Sequence, residues 1–398
     1  MKDSFELFPQ LLKAESEGQR RTCLIKETTV SGESTEKELW FTYPAGLPMP
    51  EDDDCDSYLL AVLLAAMKSK ADITIHGSVS RELLANLTEL QYVWNKWLPK
   101  VYFLVDMKVE HIRENDTRVT GAVSAFSGGA DAEFTAYRHA TGKAGYGTQA
   151  LCAGVFVHGF DIPLADTEGF SGAAQKASES LNDLGLSLFI VRTNQRELWS
   201  VNWEHYCGMA IASVLCGLSK YAGSGLIGSS ETYDALFTPW GTHPMTDPLL
   251  STGALKIIHD GAGFSRSEKI KTLSEWQVGI KNLRVCWVSD KHDRNCGICE
   301  KCVRNRLVFL LAGVSNPACF NAPLEVSVFK SISLRHEAVR MEWELIRSEM
   351  INTGKGVEWL PQVEQVLKRK AGPSLSFLFP PGSQRRKWVK TSLKRYRK

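Results

Sequence analysis

Residues 125–131 read Ala125-Phe126-Ser127-Gly128-Gly129-Ala130-Asp131. They close a β-rich run, Val119–Phe126, and lead into a helix candidate over 131–140. A small-residue turn between strand and helix lets backbone N–H groups converge on an anion, and the helix N-terminus adds partial positive charge. Glycine suits such a turn because a Cβ blocks both the backbone angles and the approach of phosphate oxygens. Ser127 adds a hydroxyl donor, and Asp131 either holds Mg²⁺ or caps the helix.

Outward from this turn, short β-rich runs recur at Leu151–Val157, Leu186–Val191, Gly225–Gly228 and Arg284–Val288. Helix candidates at 131–140, 171–184 and 202–221 lie between them. This is the βαβ rhythm of an α/β fold with a doubly wound parallel sheet. Ligands of such sheets bind at the carboxyl edge of the strands. That edge includes His158 and Asp161 after the second strand and Gly228-Ser229-Ser230-Glu231-Thr232 after the fourth. Two other glycine patterns, at 223–228 and 145–150, enter strands rather than leave them, so neither is a dinucleotide fingerprint. No Walker A sequence is present.

Three regions are expected. Residues 1–118 read as an N-terminal α+β accessory domain, with strands at 39–43, 73–77 and 101–105 and helices at 56–69 and from Ser80. Trp40, Trp94 and Trp97 in it read as core packing. Residues 119–315 carry the doubly wound domain, and 316–398 form a helical C-terminal extension with a basic tail. Helices are expected at 303–314 and 335–350, and a proline-marked linker at 371–384.

The 398 residues carry 47 basic and 45 acidic side chains, a balance of +2 that excludes a basic nucleic-acid-binding chain as a whole. Eight of the basic residues lie between Arg385 and Lys398, where no acid occurs, leaving 39 basic against 45 acidic elsewhere. The tail therefore suits RNA or an acidic partner, or is a solvated end. The N-terminal residues lack a signal-peptide pattern, and the longest apolar run, Tyr58–Met67, is too short to span a bilayer. A cytoplasmic protein is expected, with no membrane association; the oligomeric state stays open, a homodimer included.

Of ten cysteines, Cys286, Cys296, Cys299 and Cys302 fall within seventeen positions. A C-x2-C turn holds two sulfurs at the separation one tetrahedral ion needs, and four thiolates favour a closed structural Zn²⁺ site. A [4Fe–4S] cluster uses the same ligands, and disulfides are the alternative. Lys301, Arg304 and Arg306 would offset the thiolate charge.

Ser127-Gly-Gly-Ala-Asp131 resembles the SGGxD(S) loop of the PP-loop ATP pyrophosphatases. With the cysteines that follow it, ending in Cys299-Glu-Lys-Cys302-x-x-Asn305-Arg306, the chain resembles 7-cyano-7-deazaguanine synthase over roughly residues 119–315. The resemblance implies that Ser127, Gly128, Gly129, Ala130 and Asp131 bind the ATP phosphates with Mg²⁺, and that His158 borders the adenine. It implies activation of a carboxylate, or an amide oxygen, as an adenylate with release of pyrophosphate, followed by attack of a nitrogen nucleophile. Arg266 and Lys269, one helical turn apart, are the cations expected to meet the pyrophosphate, unless they only face solvent. Ser230, His243 and Asp247 are substrate-contact candidates on a small-molecule or protein carboxylate. Ala132 stands where the family has Ser, and Thr242-His-Pro-Met-Thr-Asp-Pro-Leu249 keeps only part of the family's Tyr-Pro-Asp-Cys-Arg-like segment. These departures suggest a divergent branch, of the kind found in specialised biosynthetic or antiphage defence gene sets.

Three alternatives use the same residues. Ala125-Phe-Ser127-Gly-Gly129 nearly matches a nucleophile elbow, with His205, His243 or His259 as base and Asp234 or Asp247 behind it. A tRNA-thiolating enzyme would need a catalytic thiol from Cys152, Cys207 or Cys216. A nucleic-acid- or protein-binding module would use the cysteine knot and the tail, with a degenerate loop.

Overall fold

The computed structural model describes residues 3–286, 289, 292–334 and 337–369. The linker and basic tail expected beyond residue 370 lie outside the described residues. Two compact units emerge: Met1–Asn295 with Pro317–Phe320, and Cys296–Asn316 with Asn321–Lys398.

The first unit is built on one mixed, mostly parallel sheet of eleven strands. Its strands are β1 (Ser4–Pro9), β2 (Lys13–Glu15), β3 (Gly18–Thr28), β4 (Ser34–Tyr43), β5 (Asp72–Ser80), β6 (Met107–Arg113), β7 (Ala122–Ala125), β8 (Leu151–His158), β9 (Ser187–Thr193), β10 (Ser224–Gly228) and β11 (Lys256–Asp260). The order is β11-β10-β7-β8-β9-β4-β3-β1-β5-β6, with β2 on β3. From β11 to β9 every pairing is parallel. The strand order reverses between β7 and β10, which makes that crevice a topological switch point.

Among the described residues the α-helices of this unit are α1 (Asp56–Ser69), α2 (Arg81–Trp97), α3 (Ala130–Ala140), α4 (Thr167–Asp183), α5 (Gln195–Leu198), α6 (Trp203–Cys216), α7 (Arg266–Leu273) and α8 (Gln277–Asn282). The apolar run 58–67 is the buried body of α1, which packs in the main core with α6, β1 and β5. Each fully buried Leu or Val there contributes roughly 1.5–3 kcal/mol. Asp56 does not cap α1 with its side chain. Its carboxylate instead accepts the Ser80 amide at 2.9 Å and the Arg113 guanidinium at 2.8 Å.

Residues 1–118 contribute six strands to the same sheet as the chain that follows, joined where β4 pairs antiparallel with β9 at Phe41–Thr193 and Thr42–Arg192. The strand expected at 39–43 is the end of the longer β4, and β3 precedes it in the charged stretch before it. Residues 101–105, expected as a strand, form none: the Val105 amide is taken by the Gln91 Oε1 at 2.8 Å, and Tyr102 turns inward against Trp94. A side chain thus replaces a ladder partner, and the strand begins at Met107. Arg284–Cys286 is likewise not a strand; Trp287 and Val288 lie outside the described residues. The fifth parallel strand is β11, whose five residues gave no strand signal among the glycines and polar residues around them.

The second unit holds α9 (Glu300–Leu311), α10 (Glu337–Thr353) and α11 (Leu360–Lys368). Trp343 of α10 is fully buried and donates its indole N–H to Glu300 Oε1 at 2.7 Å. Arg369 closes the unit by donating to the carbonyls of Phe329 at 2.6 Å and Ile332 at 2.9 Å.

One buried acid is held against its ordinary chemistry. Glu133 of α3 is 1 % exposed, with Oε1 accepting from the Ser180 hydroxyl at 3.1 Å and Oε2 without a partner. Burial pushes its carboxyl up to about 8, only partly offset by Ser180. The folded chain therefore keeps this proton where the unfolded chain has lost it, so stability falls as pH rises from the ordinary carboxylate range to about 8 and then levels. In Glu133→Gln that fall is expected to disappear, and the variant should melt higher than the parent at about pH 8.5, read by circular dichroism.

Candidate functional site

The turn 127–131 leaves the carboxyl end of β7 at the switch point. Gly128 sits at φ +71°, a conformation that favours glycine. Its carbonyl accepts the Arg284 amide at 2.7 Å, and the Ser127 carbonyl accepts the Arg284 Nε and Nη2 at 3.2 and 3.0 Å. Arg284 is buried and thereby clamps the turn from one side. The opposite side is tight as well, since a Cβ on Gly228, at the end of β10, would lie 2.8 Å from the Asp131 carbonyl oxygen. The first amides of α3 have no intrahelical acceptor and carry the positive end of the helix dipole. Ser127 Oγ accepts the Gly129 amide at 3.3 Å.

Asp131 gathers two cations. Its Oδ1 lies 3.0 Å from Lys269 Nζ and its Oδ2 lies 3.1 Å from Arg266 Nη1. Lys269 is 1 % exposed and also donates to the Ser229 carbonyl at the end of β10. Burial lowers its ammonium below the ordinary lysine range, against the pull of Asp131. A capping box, Ser265 with Glu268, sets the start of α7, so both cations project from a defined first turn. Behind them Asp260 Oδ2 accepts from Thr135 Oγ1 at 2.8 Å and Oδ1 sits 3.1 Å from His139 Nε2, tying α3 to β11. Ala132 packs in an apolar cluster with Phe126, Ala136 and Phe156.

The other expected residues fall as follows. His158 is buried, stacks on Phe170 with ring centroids 4.1 Å apart, and shares its Nε2 with the Pro163 carbonyl at 2.9 Å. It borders a groove of about 500 Å³ with Phe170, Leu188, Ile190 and Arg192. Ser230 is half-buried just past β10, whereas Ser229 beside it is tied down, its amide on the Asp260 carbonyl at 2.7 Å. Asp247 is fully enclosed: Oδ1 accepts the His243 amide at 3.0 Å and Oδ2 lies 2.7 Å from His259 Nδ1. Burial pushes its carboxyl up, opposed by His259. His243 is buried edge-on to Trp97, its Nδ1 accepting the Met245 amide at 3.1 Å.

For the nucleophile elbow, no histidine among the described residues has a hydrogen bond to Ser127; His205 is bonded to Tyr102, His243 to Met245 and His259 to Asp247. For a catalytic thiol, burial raises Cys207 to about 12 and drives Cys216 well above its ordinary value.

The sulfurs of Cys286, Cys296, Cys299 and Cys302 lie within 4.8 Å of one another. Cys299 is the N-cap of α9 and accepts the Cys302 amide at 3.4 Å, while Cys296 Sγ accepts the Cys299 amide at 3.3 Å. Asn295 holds the chain beside Cys286, its Oδ1 accepting the amides of Val285 and Cys286 at 2.8 and 3.1 Å. Four converging thiol groups with amide donors on two of them fit a tetrahedral ion, and the cluster could hold a metal such as zinc. Arg304 is paired with Glu300 and Glu342, and Arg306 donates to the Gly297 and Ala322 carbonyls.

Arg284 and Asp260 escaped sequence reasoning as site residues, while His259 enters it only as a candidate base for a nucleophile elbow. Arg284 and Asp260 each lie far along the chain from their partners, and no local pattern distinguishes them. No family model, curated protein or solved structure matches this chain. No helix among the described residues is long and apolar enough to cross a membrane.

Two outcomes are expected. Protein purified in air should carry about one equivalent of zinc per chain, with Cys299→Ser losing most of it in elemental analysis; a brown, iron-bearing sample would replace zinc by a cluster. Asp131→Ala strands a buried ammonium and should cost about 2–3 kcal/mol in urea unfolding, below the ~3–5 kcal/mol of a fully enclosed pair because Asp131 is partly open to solvent.

Proposed function

We propose that this chain is an ATP-dependent, AMP- and pyrophosphate-forming enzyme that adenylates a carboxylate for attack by a nitrogen nucleophile. The observation that carries this reading is the assembly of Arg266 and Lys269 on Asp131, beside a glycine turn and a helix N-terminus at a topological switch point. That arrangement concentrates positive charge where a pyrophosphate leaving group needs it.

In this reading the first amides of α3 and the Ser127 hydroxyl bind phosphate oxygens. Lys269 and Arg266 meet the charge that grows on pyrophosphate as the substrate carboxylate attacks the α-phosphorus and the bond to the β-phosphate oxygen breaks. Asp131 positions the two cations, since each of its oxygens faces one of them. With that carboxylate so engaged, Mg²⁺ would be held chiefly by phosphate oxygens, whose charge it would offset, and Asp131 would join them only by giving up one of its two cations. Arg284 keeps the turn's carbonyls off the anion by taking them as acceptors. The protein's share is positioning and charge stabilisation. Zinc in the cysteine cluster would be structural, with no open position. The raised thiols of Cys207 and Cys216 disfavour those two as sulfur-transfer groups.

The family resemblance supplies the first probe, 7-carboxy-7-deazaguanine. With ATP, Mg²⁺ and this acid the protein is expected to release AMP and pyrophosphate in equal amounts. Lys269→Ala should lower that rate by about 10²–10³-fold, the size of a lost charge-stabilising donor. Release of ADP instead, or AMP formation indifferent to any added carboxylate, would reject the reading.

A further inference from the structure

His259 is the penultimate residue of β11, near the carboxyl edge of the sheet and in register with Ile227 of β10. The residue after it, Asp260, faces α3 through Thr135 and His139. Successive side chains alternate across a strand, so His259 faces the other side of the sheet. There its Nδ1 meets Asp247 Oδ2 at 2.7 Å. The other Asp247 oxygen is occupied by the His243 amide, and Asp247 itself is fully enclosed. With Asp247 ionised its carboxylate accepts, an arrangement that puts the proton on Nδ1 and leaves the Nε2 lone pair free.

That Nε2 has no partner, although the side chain is only 4 % exposed. A buried acceptor left unpaired is costly, and such a group in a native fold calls for a ligand, a water or a chemical task. The other core histidines differ. His139 uses both nitrogens, on Asp260 and on the Gln149 amide. His205 faces the Tyr102 hydroxyl and His243 accepts the Met245 amide. The charged or titratable neighbours of His259 are Asp247, His243 and Glu231, the last held by the Phe237 amide in the segment after β10. The same edge carries Ser229, whose amide bonds the Asp260 carbonyl and whose own carbonyl receives Lys269.

We propose that His259, oriented by Asp247, is the proton acceptor for the nitrogen nucleophile. This rests on the adenylation reading. In the second half-reaction the nitrogen lone pair forms the C–N bond to the acyl carbon. The acyl C–O bond to AMP breaks, and its electron pair leaves on the AMP phosphate. The proton shed by nitrogen passes to His259 Nε2, and the imidazolium so formed is stabilised by Asp247. His259 is the base, and Asp247 is a positioning residue that acts through it.

The test has two arms. In protein with ¹⁵N-labelled histidine, nitrogen–proton correlation spectra should show His259 protonated at Nδ1 and bare at Nε2 at about pH 8; the reverse tautomer overturns the proposal. The second arm uses ATP, Mg²⁺, 7-carboxy-7-deazaguanine and ammonium chloride as probes. His259→Gln should lower formation of the nitrogen-containing product by about 10²–10⁴-fold, the usual weight of a general base. Exchange of labelled pyrophosphate into ATP, which reports the first half-reaction, should fall far less. Asp247→Asn, which favours the other tautomer, should reproduce the product defect. Equal product formation in parent and His259→Gln overturns the base assignment while leaving adenylation standing. Loss of exchange together with product in His259→Gln marks a structural role and also overturns it. Absence of acid-dependent exchange in the parent itself rejects the adenylation reading and this step with it.

Discussion

A single buried ammonium organises the carboxyl edge of this sheet. Lys269 has almost no solvent around it, and burial weakens its hold on its proton. Asp131 and the Ser229 carbonyl supply what water would have given. The lysine and its two partners come from three separate elements: the first turn of α7, the first turn of α3 and the end of β10. Satisfying one charge therefore fixes where the glycine turn ends, how closely α3 approaches β10 and which way α7 points. The glycine at position 228 follows from the same demand, because a side chain there would push against the Asp131 carbonyl. Removing water from charged groups is expensive, so such an arrangement persists only when the geometry is complete.

The N-terminal strands extend this frame. β4 meets β9 over only two residue pairs, yet Tyr43 at its end reaches α6, where its hydroxyl donates to the Val214 carbonyl at 3.0 Å. Gly217 has no side chain there, and a Cβ would collide with that ring. α1 lies buried in the same core as α6, β1 and β5. Residues expected as an accessory domain thus share one sheet and one core with the parallel strands β7–β11. The reason is that α1 is apolar around its whole circumference and cannot be satisfied by covering a single face.

Much of the parallel half was legible from residue pattern. The strand–turn–helix at 122–140, the strands near 151 and 187 and the helix α6 all carry periodicity or punctuation that local rules read. Arg266 and Lys269 were legible as a pair because they stand one helical turn apart, and the four cysteines because metal-ligand spacing is short in sequence. Other features left no such trace. β11 is five residues long and bears a polar His-Asp end. The strand expected at 101–105 has the right composition, but Gln91 takes the Val105 amide that a neighbouring strand would have used. Arg284 reads as an ordinary basic residue until its guanidinium is seen on the Ser127 carbonyl, 157 positions away.

Sequence by itself therefore determined the local grammar: which turn is glycine-built, which thiols can converge and which helix carries two cations on one side. These depend on backbone sterics and on distances of a few residues, and both are written in neighbouring letters. Only the tertiary structure decided what those parts meet. It placed Arg266 and Lys269 on Asp131, turned Asp247 away from solvent and behind His259, and put Arg284 over the turn. Long-range pairing of charge has no local signature. It is settled by which buried groups can satisfy one another once the chain has given up its water.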